Sequence, residues 1–169
     1  MPRSENSVPP ILSAFVLSVL VACDGSDGSI ASSSSPVREA EIEAMIVRLG
    51  QAQERDVAIK ELGRVGAPAV PPLMRELWQR GTRENGVEPI MNALVEVGPP
   101  AIAALDAVER EANEAFGAAM SPGAEVPHTL RRYGMDAAFL RSRVTQTYLQ
   151  DVTHWAGRAR QEIKKRYGV

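Results

Sequence analysis

Few side chains in this sequence could do chemistry, and they lie far apart. The 169 residues contain one cysteine, Cys23, and two histidines, His128 and His154. Asp151 could meet His154 on a helix, but such a pair is far more often a surface hydrogen bond than half of a catalytic dyad. No cluster has metal-ligand spacing, and there is neither a G-x-S-x-G motif nor a phosphate-binding glycine-rich loop. We therefore predict a protein that is not an enzyme, with no metal, no cofactor and no evident small-molecule substrate.

Cys23 directly follows an apolar segment close to the start of the chain. The segment ILSAFVLSVLVA, Ile11–Ala22, would measure about 18 Å as a helix, which is short against a hydrocarbon core of about 30 Å. Its length is typical of the apolar region of a signal peptide. A buried core helix is the alternative, but the Gly/Ser-rich stretch that follows could not cover it. Residues 1–22 are therefore predicted to be a signal peptide.

The residues that end this segment, Leu20-Val21-Ala22-Cys23, resemble the lipobox of bacterial lipoproteins. The resemblance implies that the Cys23 thiol receives a diacylglyceryl group, that the chain is cut before Cys23, and that the new amine is acylated. Labelled palmitate would then enter the protein. The alternative is an ordinary secretory signal with a chance cysteine, which would leave one unpaired thiol in an exported protein.

The residues after Cys23 bear on where the folded part lies. Asp24 resembles the signal that keeps enterobacterial lipoproteins in the inner membrane. We therefore expect the exported side of a bacterial cell membrane, and favour the inner membrane. Residues 23–36, which include DGSDGSIASSSSP, are too polar to offset the entropy of ordering them. They are predicted to be a flexible tether that spans about 20 Å on average.

The remaining residues, 37–169, are enough for one domain with a hydrophobic core. With the only cysteine assigned to the lipid anchor, no disulfide can form within the chain, so its stability must come from packing. The formal net charge of −2 does not indicate a nucleic-acid partner, and export would exclude one as well.

Two segments of this domain repeat with an offset of 32 residues: AIKELGRVGAPAVPPL, Ala58–Leu73, and IMNALVEVGPPAIAAL, Ile90–Leu105. Their apolar positions recur at i, i+1, i+4 and i+7, which is one face of a helix. Gly66 and Gly98 are expected to end the first helix of each copy, because glycine adopts a positive φ most easily. A proline two residues later suits the first turn of another helix. Each copy is thus predicted to be helix, short turn, helix.

This pattern, with LGRVGAPAVPPL as its clearest copy, resembles the short HEAT-like repeat of phycobilin lyases. The resemblance implies an all-α fold in which residues 37–120 form a short α-solenoid of about two and a half helical hairpins. The half unit comes first, because Ile42, Met45, Ile46 and Leu49 have the spacing of a second repeat helix. The alternative is a plain antiparallel helical bundle, since two copies are near the minimum for a self-supporting array.

The repeats end at the breaker cluster SPGAEVP, and residues 121–169 are predicted to form a C-terminal helical cap. One long amphipathic helix is expected from about Asp136 to Arg166. Its apolar stripe consists of Leu140, Val144, Tyr148, Val152, Trp155, Ala159 and Ile163. Residues 37–126 carry 15 acidic and 9 basic residues, whereas residues 127–169 carry 3 acidic and 9 basic. A basic helix that covers the acidic repeats is therefore favoured, and a membrane-surface helix is the alternative.

A contact surface is predicted on the second helix of the first repeat. Trp78 lies at the edge of the apolar stripe of that helix, beside Arg75 and Gln79. In HEAT-like arrays the second helices line the concave face, so the resemblance makes these three residues the candidate partner-binding surface.

Three functions are compatible with this sequence. The favoured one is a membrane-anchored, non-catalytic helical-repeat lipoprotein that binds an unidentified protein partner or acts as a scaffold, since such a module needs no catalytic residues. The second, by analogy of fold alone, is an enzyme or enzyme accessory related to the HEAT-like chromophore lyases. The third is a structural envelope lipoprotein that self-associates through its C-terminal helix.

Overall fold

The computed structural model describes residues 36–81, 86–121 and 123–169, and every regular element in these ranges is helical. This confirms the predicted all-α class. The predicted signal peptide and residues 23–35 of the tether lie outside the described residues. The α-helices are α1 (Pro36–Arg48), α2 (Arg55–Val65), α3 (Val70–Arg80), α4 (Glu88–Val97), α5 (Ile102–Met120), α6 (His128–Arg132), α7 (Ala137–Arg143) and α8 (Gln146–Tyr167). The predicted tether includes Pro36, but this proline begins α1, where its fixed φ suits a first helical turn.

The two predicted repeat copies fold alike. In the first, Gly66 and one 3-10 turn join α2 to α3, and in the second, Gly98 and one 3-10 turn join α4 to α5. The backbone angles of the glycines nearly coincide, with φ 72° and ψ −137° at Gly66 and φ 79° and ψ −143° at Gly98. Their amides donate to the carbonyls of Leu62 and Leu94, both at 3.1 Å. Because a residue with a Cβ is disfavoured at such angles, glycine explains why both copies turn in the same way.

The predicted half unit is α1. Ile42, Ile46 and Leu49 are buried, and Met45 is partly buried against the same core. α1 packs against α2 and α3, so the apolar spacing correctly located the inner face of this helix.

One core joins the repeats to the C-terminal helices. α4 packs against α2, α3 and α8, and α5 packs against α7 and α8. Gly63 allows α2 to approach α4 closely, because a Cβ there would lie 2.5 Å from the Cγ of Glu96. The largest fully buried side chains of the core are Leu49, Leu62, Leu73, Met74, Leu77, Trp78, Ile90, Leu94, Leu130, Met135, Leu140 and Ile163.

The prediction of one C-terminal helix from Asp136 to Arg166 is wrong, because Val144 and Thr145 separate α7 from α8. The Thr145 hydroxyl accepts a hydrogen bond from the Tyr148 amide at 3.1 Å. Threonine in this position caps a new helix, so the chain turns here although the apolar spacing continues. All seven residues of the predicted stripe are nevertheless buried.

Two ion pairs join α8 to the helices on which it packs. Arg160 Nη1 lies 2.8 Å from Asp106 Oδ1 on α5, and Arg166 Nη1 lies 2.5 Å from Glu96 Oε2 on α4. The basic C-terminal helix therefore lies on the acidic repeats, as the distribution of charge along the sequence predicts.

Candidate functional site

The predicted lipidation site, Cys23, and its neighbour Asp24 lie outside the described residues, so their roles remain predictions from the sequence. Among the described helices, none is long and apolar enough by itself to cross a membrane. Within the described part of the chain, α4 and the segment Pro99–Met120, bent by 115° against each other, meet the length and composition criteria as a pair.

The predicted partner-binding surface needs one correction, at Trp78. Its side chain is fully buried, and the Tyr133 ring stacks on it with the ring centres 6.3 Å apart and the planes at 20°. Arg75 and Gln79 do reach the surface. Arg75 pairs with Glu43 of α1, and Gln79 Nε2 donates to the Tyr133 carbonyl at 3.4 Å. The turn after α6 thus covers the tryptophan, which the apolar stripe of a single helix could not predict.

The histidines lie in ordinary surface environments. His128 begins α6, His154 lies on α8, and both are exposed. His154 packs edge-on against Trp155, with 5.6 Å between the ring centres. Within residues 36–81, 86–121 and 123–169, no group of three or more His, Cys, Asp and Glu side chains could hold a metal ion.

A cavity of about 360 Å³, here named the α3–α5 cavity, lies between α3, α5 and α6. Its volume is in the range of small-molecule sites. The apolar part of its wall consists of Val70, Pro71, Met74, Ala103, Ala104 and Ala107, and the polar part of Arg110, Glu111, Thr129, Arg132 and Tyr133. Along α5 the lining therefore changes from apolar residues at Ala103, Ala104 and Ala107 to a polar end at Arg110 and Glu111.

Glu111 is unusual at this polar end because it is a buried acid. The residue is 2% exposed, and glutamate is rarely buried to this degree without a partner. Burial raises the pKa of Glu111, while the neighbouring Trp78 indole and the cations of Arg110 and Arg132 oppose the rise. Oε1 accepts from the Tyr133 hydroxyl at 3.5 Å, but Oε2 and Trp78 Nε1 have no hydrogen bond of good geometry among the described residues. Glu111 thus keeps unused hydrogen-bonding capacity beside the cavity.

Two exposed arginines form the rim of the polar end. Arg110 lies 4.0 Å from Glu114 on the same helix, and Arg132 makes no ion pair or hydrogen bond within the described part of the chain. Burial and the negative charge of Glu111 raise the pKa of Tyr133 to about 12. The Tyr133 hydroxyl is therefore a neutral hydrogen-bond donor near pH 7. The charged groups at the rim are the guanidinium groups of Arg110 and Arg132, and both are positive.

A second cavity, of about 410 Å³, lies between α5 and α8. Phe116, which is 38% exposed, lines it together with polar residues such as Glu109, Asn113 and Gln150. These polar side chains are exposed, so the cavity presents ordinary surface groups and is the weaker candidate for a binding site.

Sequence reasoning missed both Glu111 and Tyr133. One signal could have found Glu111, which lies three residues after Val108 and four before Ala115, both of them buried. This helical spacing places the carboxyl group on the inner face of α5. Tyr133 gives no such signal, because it lies in a turn and reaches Trp78 only through the tertiary fold.

The candidate site is therefore an apolar cavity with a buried carboxyl group at one end and two arginines at its rim. These groups can hold a ligand by packing, hydrogen bonds and charge. Comparison with known proteins finds no match for the chain among family models, curated proteins or solved structures.

Proposed function

We propose that the chain is a membrane-anchored, non-catalytic helical-repeat lipoprotein that binds a protein partner or acts as a scaffold. The observation that carries the proposal is Leu20-Val21-Ala22-Cys23 behind a short apolar segment. This sequence supports acylation at Cys23 on the exported side of a bacterial membrane. Two or three acyl chains would hold the protein there stably, whereas a single chain binds only marginally.

A HEAT-like arrangement of the helices is part of this proposal. It is supported by the matched turns at Gly66 and Gly98, and by the packing of α2 against α4 and of α1 against α3. In such an array α8, which packs against α4 and α5, would stand in place of the first helix of a third unit. It would then serve as the terminal cap that helical arrays need.

The proposed partner surface includes Arg75 and Gln79 but not Trp78. It extends to α1, because Arg75 pairs with Glu43. Charged and amide side chains at the surface suit a partner that contributes hydrogen bonds and opposite charges, as the polar parts of protein interfaces do.

Crosslinking in intact membranes, followed by capture of the full-length chain, tests partner binding. The wild-type chain should carry a second polypeptide, and Arg75→Glu combined with Gln79→Arg should lose it. Arg141→Glu, at an exposed arginine of α7, is the matched control and should retain it. Capture of nothing but further copies of this chain would instead favour a self-associating lipoprotein, and undiminished capture by the double variant would contradict the proposed surface.

A further inference from the structure

The α3–α5 cavity has two chemically different ends. From Ala103 to Glu111 its α5 wall runs about 12 Å, at 1.5 Å per residue, and changes from alanines to charged side chains. The α3 wall is apolar, with Val70, Pro71 and Met74. An occupant that suits both ends has an aliphatic body and one polar head group.

The charges at the polar end favour an anionic head group. Arg132 is exposed and makes no ion pair or hydrogen bond within the described residues, and Arg110 is only weakly engaged, at 4.0 Å from Glu114. Guanidinium groups bind carboxylates through paired, charge-assisted hydrogen bonds. An ammonium head group would instead meet two cations, and an alcohol would leave their charge uncompensated.

Glu111 is compatible with an anionic ligand if the Glu111 side chain is protonated when the ligand binds. Its Oε2 makes no hydrogen bond of good geometry among the described residues, although the Trp78 indole lies beside it, so a protonated Glu111 can donate to a carboxylate oxygen of the ligand. Because burial already raises the pKa of Glu111, this side chain becomes protonated at a higher pH than an exposed glutamate does. The proton comes from solvent, so binding and proton uptake are coupled.

We propose that the α3–α5 cavity binds a small aliphatic monocarboxylate, with its chain along Met74 and Ala107 and its carboxylate between Arg132 and Glu111. The proposal rests on the cavity alone, and it is independent of the lipid anchor and of the partner surface at Arg75 and Gln79.

The pH dependence of binding has a limited set of sources. Arg110 and Glu114 of α5 and Arg132 of α6 act on Glu111, as do Tyr133 beyond α6 and the Trp78 indole of α3. Arginine stays charged throughout the working range. Glu111→Gln and Glu114→Gln therefore separate these two carboxyl groups from each other and from the remaining titratable groups, which are His128 at the start of α6 and the carboxyl group of the ligand itself.

Equilibrium dialysis of the full-length chain against radiolabelled octanoate, below its micelle-forming concentration, measures the binding directly. We expect tighter binding at about pH 6 than at about pH 8, because octanoate is ionised at both values and the lower pH favours the neutral form of Glu111. Octylamine, with the same chain and a cationic head group, should bind at least tenfold more weakly. Octanoate that binds elsewhere on the chain does so in wild type and in all variants. It therefore does not contribute to the difference in binding between them.

Four variants assign the binding to the cavity. Ala107→Leu should abolish it by filling the apolar part, and Arg132→Gln should weaken it about tenfold or more by removing a charged hydrogen-bond donor. Glu111→Gln, which keeps a neutral donor, should retain binding and lose the part of the pH dependence that Glu111 contributes. Arg141→Gln, at an exposed arginine outside the cavity, should bind as wild type does.

Other results would overturn the proposal. Octylamine binding equal to or tighter than that of octanoate would exclude a carboxylate site. Octanoate binding undiminished by Ala107→Leu and Arg132→Gln would place the ligand elsewhere. A pH dependence as large in Glu111→Gln as in wild type would exclude the coupling to this residue. Circular dichroism of each variant verifies that its helical content is unchanged. If Ala107→Leu does not fold, Arg132→Gln, a surface change, still tests whether octanoate binds in the cavity.

Discussion

Gly66 and Gly98 occupy equivalent positions in the two repeats, but their surroundings differ. Both have positive φ, so alanine is strained at either position. A Cβ at Gly98 would also lie 2.9 Å from the Cζ of Tyr167, whereas a Cβ at Gly66 would meet nothing within 4 Å. We expect Gly66→Ala to lower the free energy of unfolding by about 1–3 kcal/mol, and Gly98→Ala to lower it by more.

Urea denaturation of the two variants measures this difference. Tyr167→Ala supplies the control, because it removes the ring that the new methyl group would meet. In that background Gly66→Ala and Gly98→Ala should cost the same. A larger cost for Gly98→Ala that persists there would show that the contact with Tyr167 is not its cause.

Glu111 gives the stability of the fold a pH dependence of definite sign. Its folded-state pKa is raised, so above the ordinary value of 4.5 the folded state holds a proton that the unfolded state has lost. The stability contributed by this residue is present below 4.5 and is lost as the pH rises through the raised value. Glu111→Gln removes this titration. We therefore expect its free energy of unfolding, relative to wild type, to increase between about pH 4 and about pH 8.

Urea melts at several pH values measure this difference. Glu114→Gln, which removes an exposed carboxyl group from the same helix, serves as the matched control. A difference between Glu111→Gln and wild type that stays constant with pH would contradict the raised pKa.

The sequence could predict the surface positions of the candidate site better than its buried ones. Arg75 and Gln79 of the predicted partner surface do reach the exterior, because charged and amide side chains beside an apolar stripe lie at the surface of a helix; their role in binding stays a prediction. Trp78 was misplaced, since the ring that covers it belongs to Tyr133, in a distant turn. Glu111 was missed because an acidic residue in an acidic helix suggests a solvent-exposed position. Its spacing from the buried residues Val108 and Ala115 instead indicates the inner face of the helix.

Some helix boundaries could be predicted from the sequence and others could not. The repeat turns were predictable because glycine and proline act locally, at Gly66 and Gly98. The break between α7 and α8 was not predictable, because the apolar stripe continues through Val144. The helical periodicity of apolar residues cannot by itself detect a helix cap at Thr145.

The cap of α8 is worth a measurable part of its stability. The Thr145 hydroxyl accepts from the Tyr148 amide, and loss of such a cap costs about 1 kcal/mol. We expect Thr145→Ala to lower the free energy of unfolding by about this amount. Thr147→Ala, at an exposed position of the same helix, should be close to neutral. Equal effects of the two variants in thermal melts would argue against capping.

Apolar burial, rather than charge, is expected to hold α8 on the repeats. Trp155 is 7% exposed, whereas the side chains of the Arg160–Asp106 pair are 41% and 49% exposed. Exposed ion pairs contribute at most about 1 kcal/mol, and truncation of a buried aromatic side chain costs about 3–5 kcal/mol. We expect Trp155→Ala to cost about 3 kcal/mol or more, and Arg160→Ala less than about 1 kcal/mol. Similar losses for both in urea melts would mean that charge holds the helix.

At the scale of the whole molecule, the distribution of charge and apolar surface along the chain predicted how its parts combine. The acidic repeats and the basic C-terminal helix share one core, and ion pairs from Arg160 and Arg166 cross between them. The proposed attachment to the membrane belongs to the residues before Pro36, which lie outside the described part of the chain.

Attachment to the membrane is proposed to depend on one residue, Cys23. Metabolic labelling with palmitate, in a bacterium that expresses the full-length chain, measures it most directly. The wild-type chain should take up the label and remain in the membrane fraction, and Cys23→Ser should do neither. Ser26→Ala, in the predicted tether, should behave as wild type does. If labelled palmitate never enters the wild-type chain although the chain is well expressed, the lipid anchor does not exist.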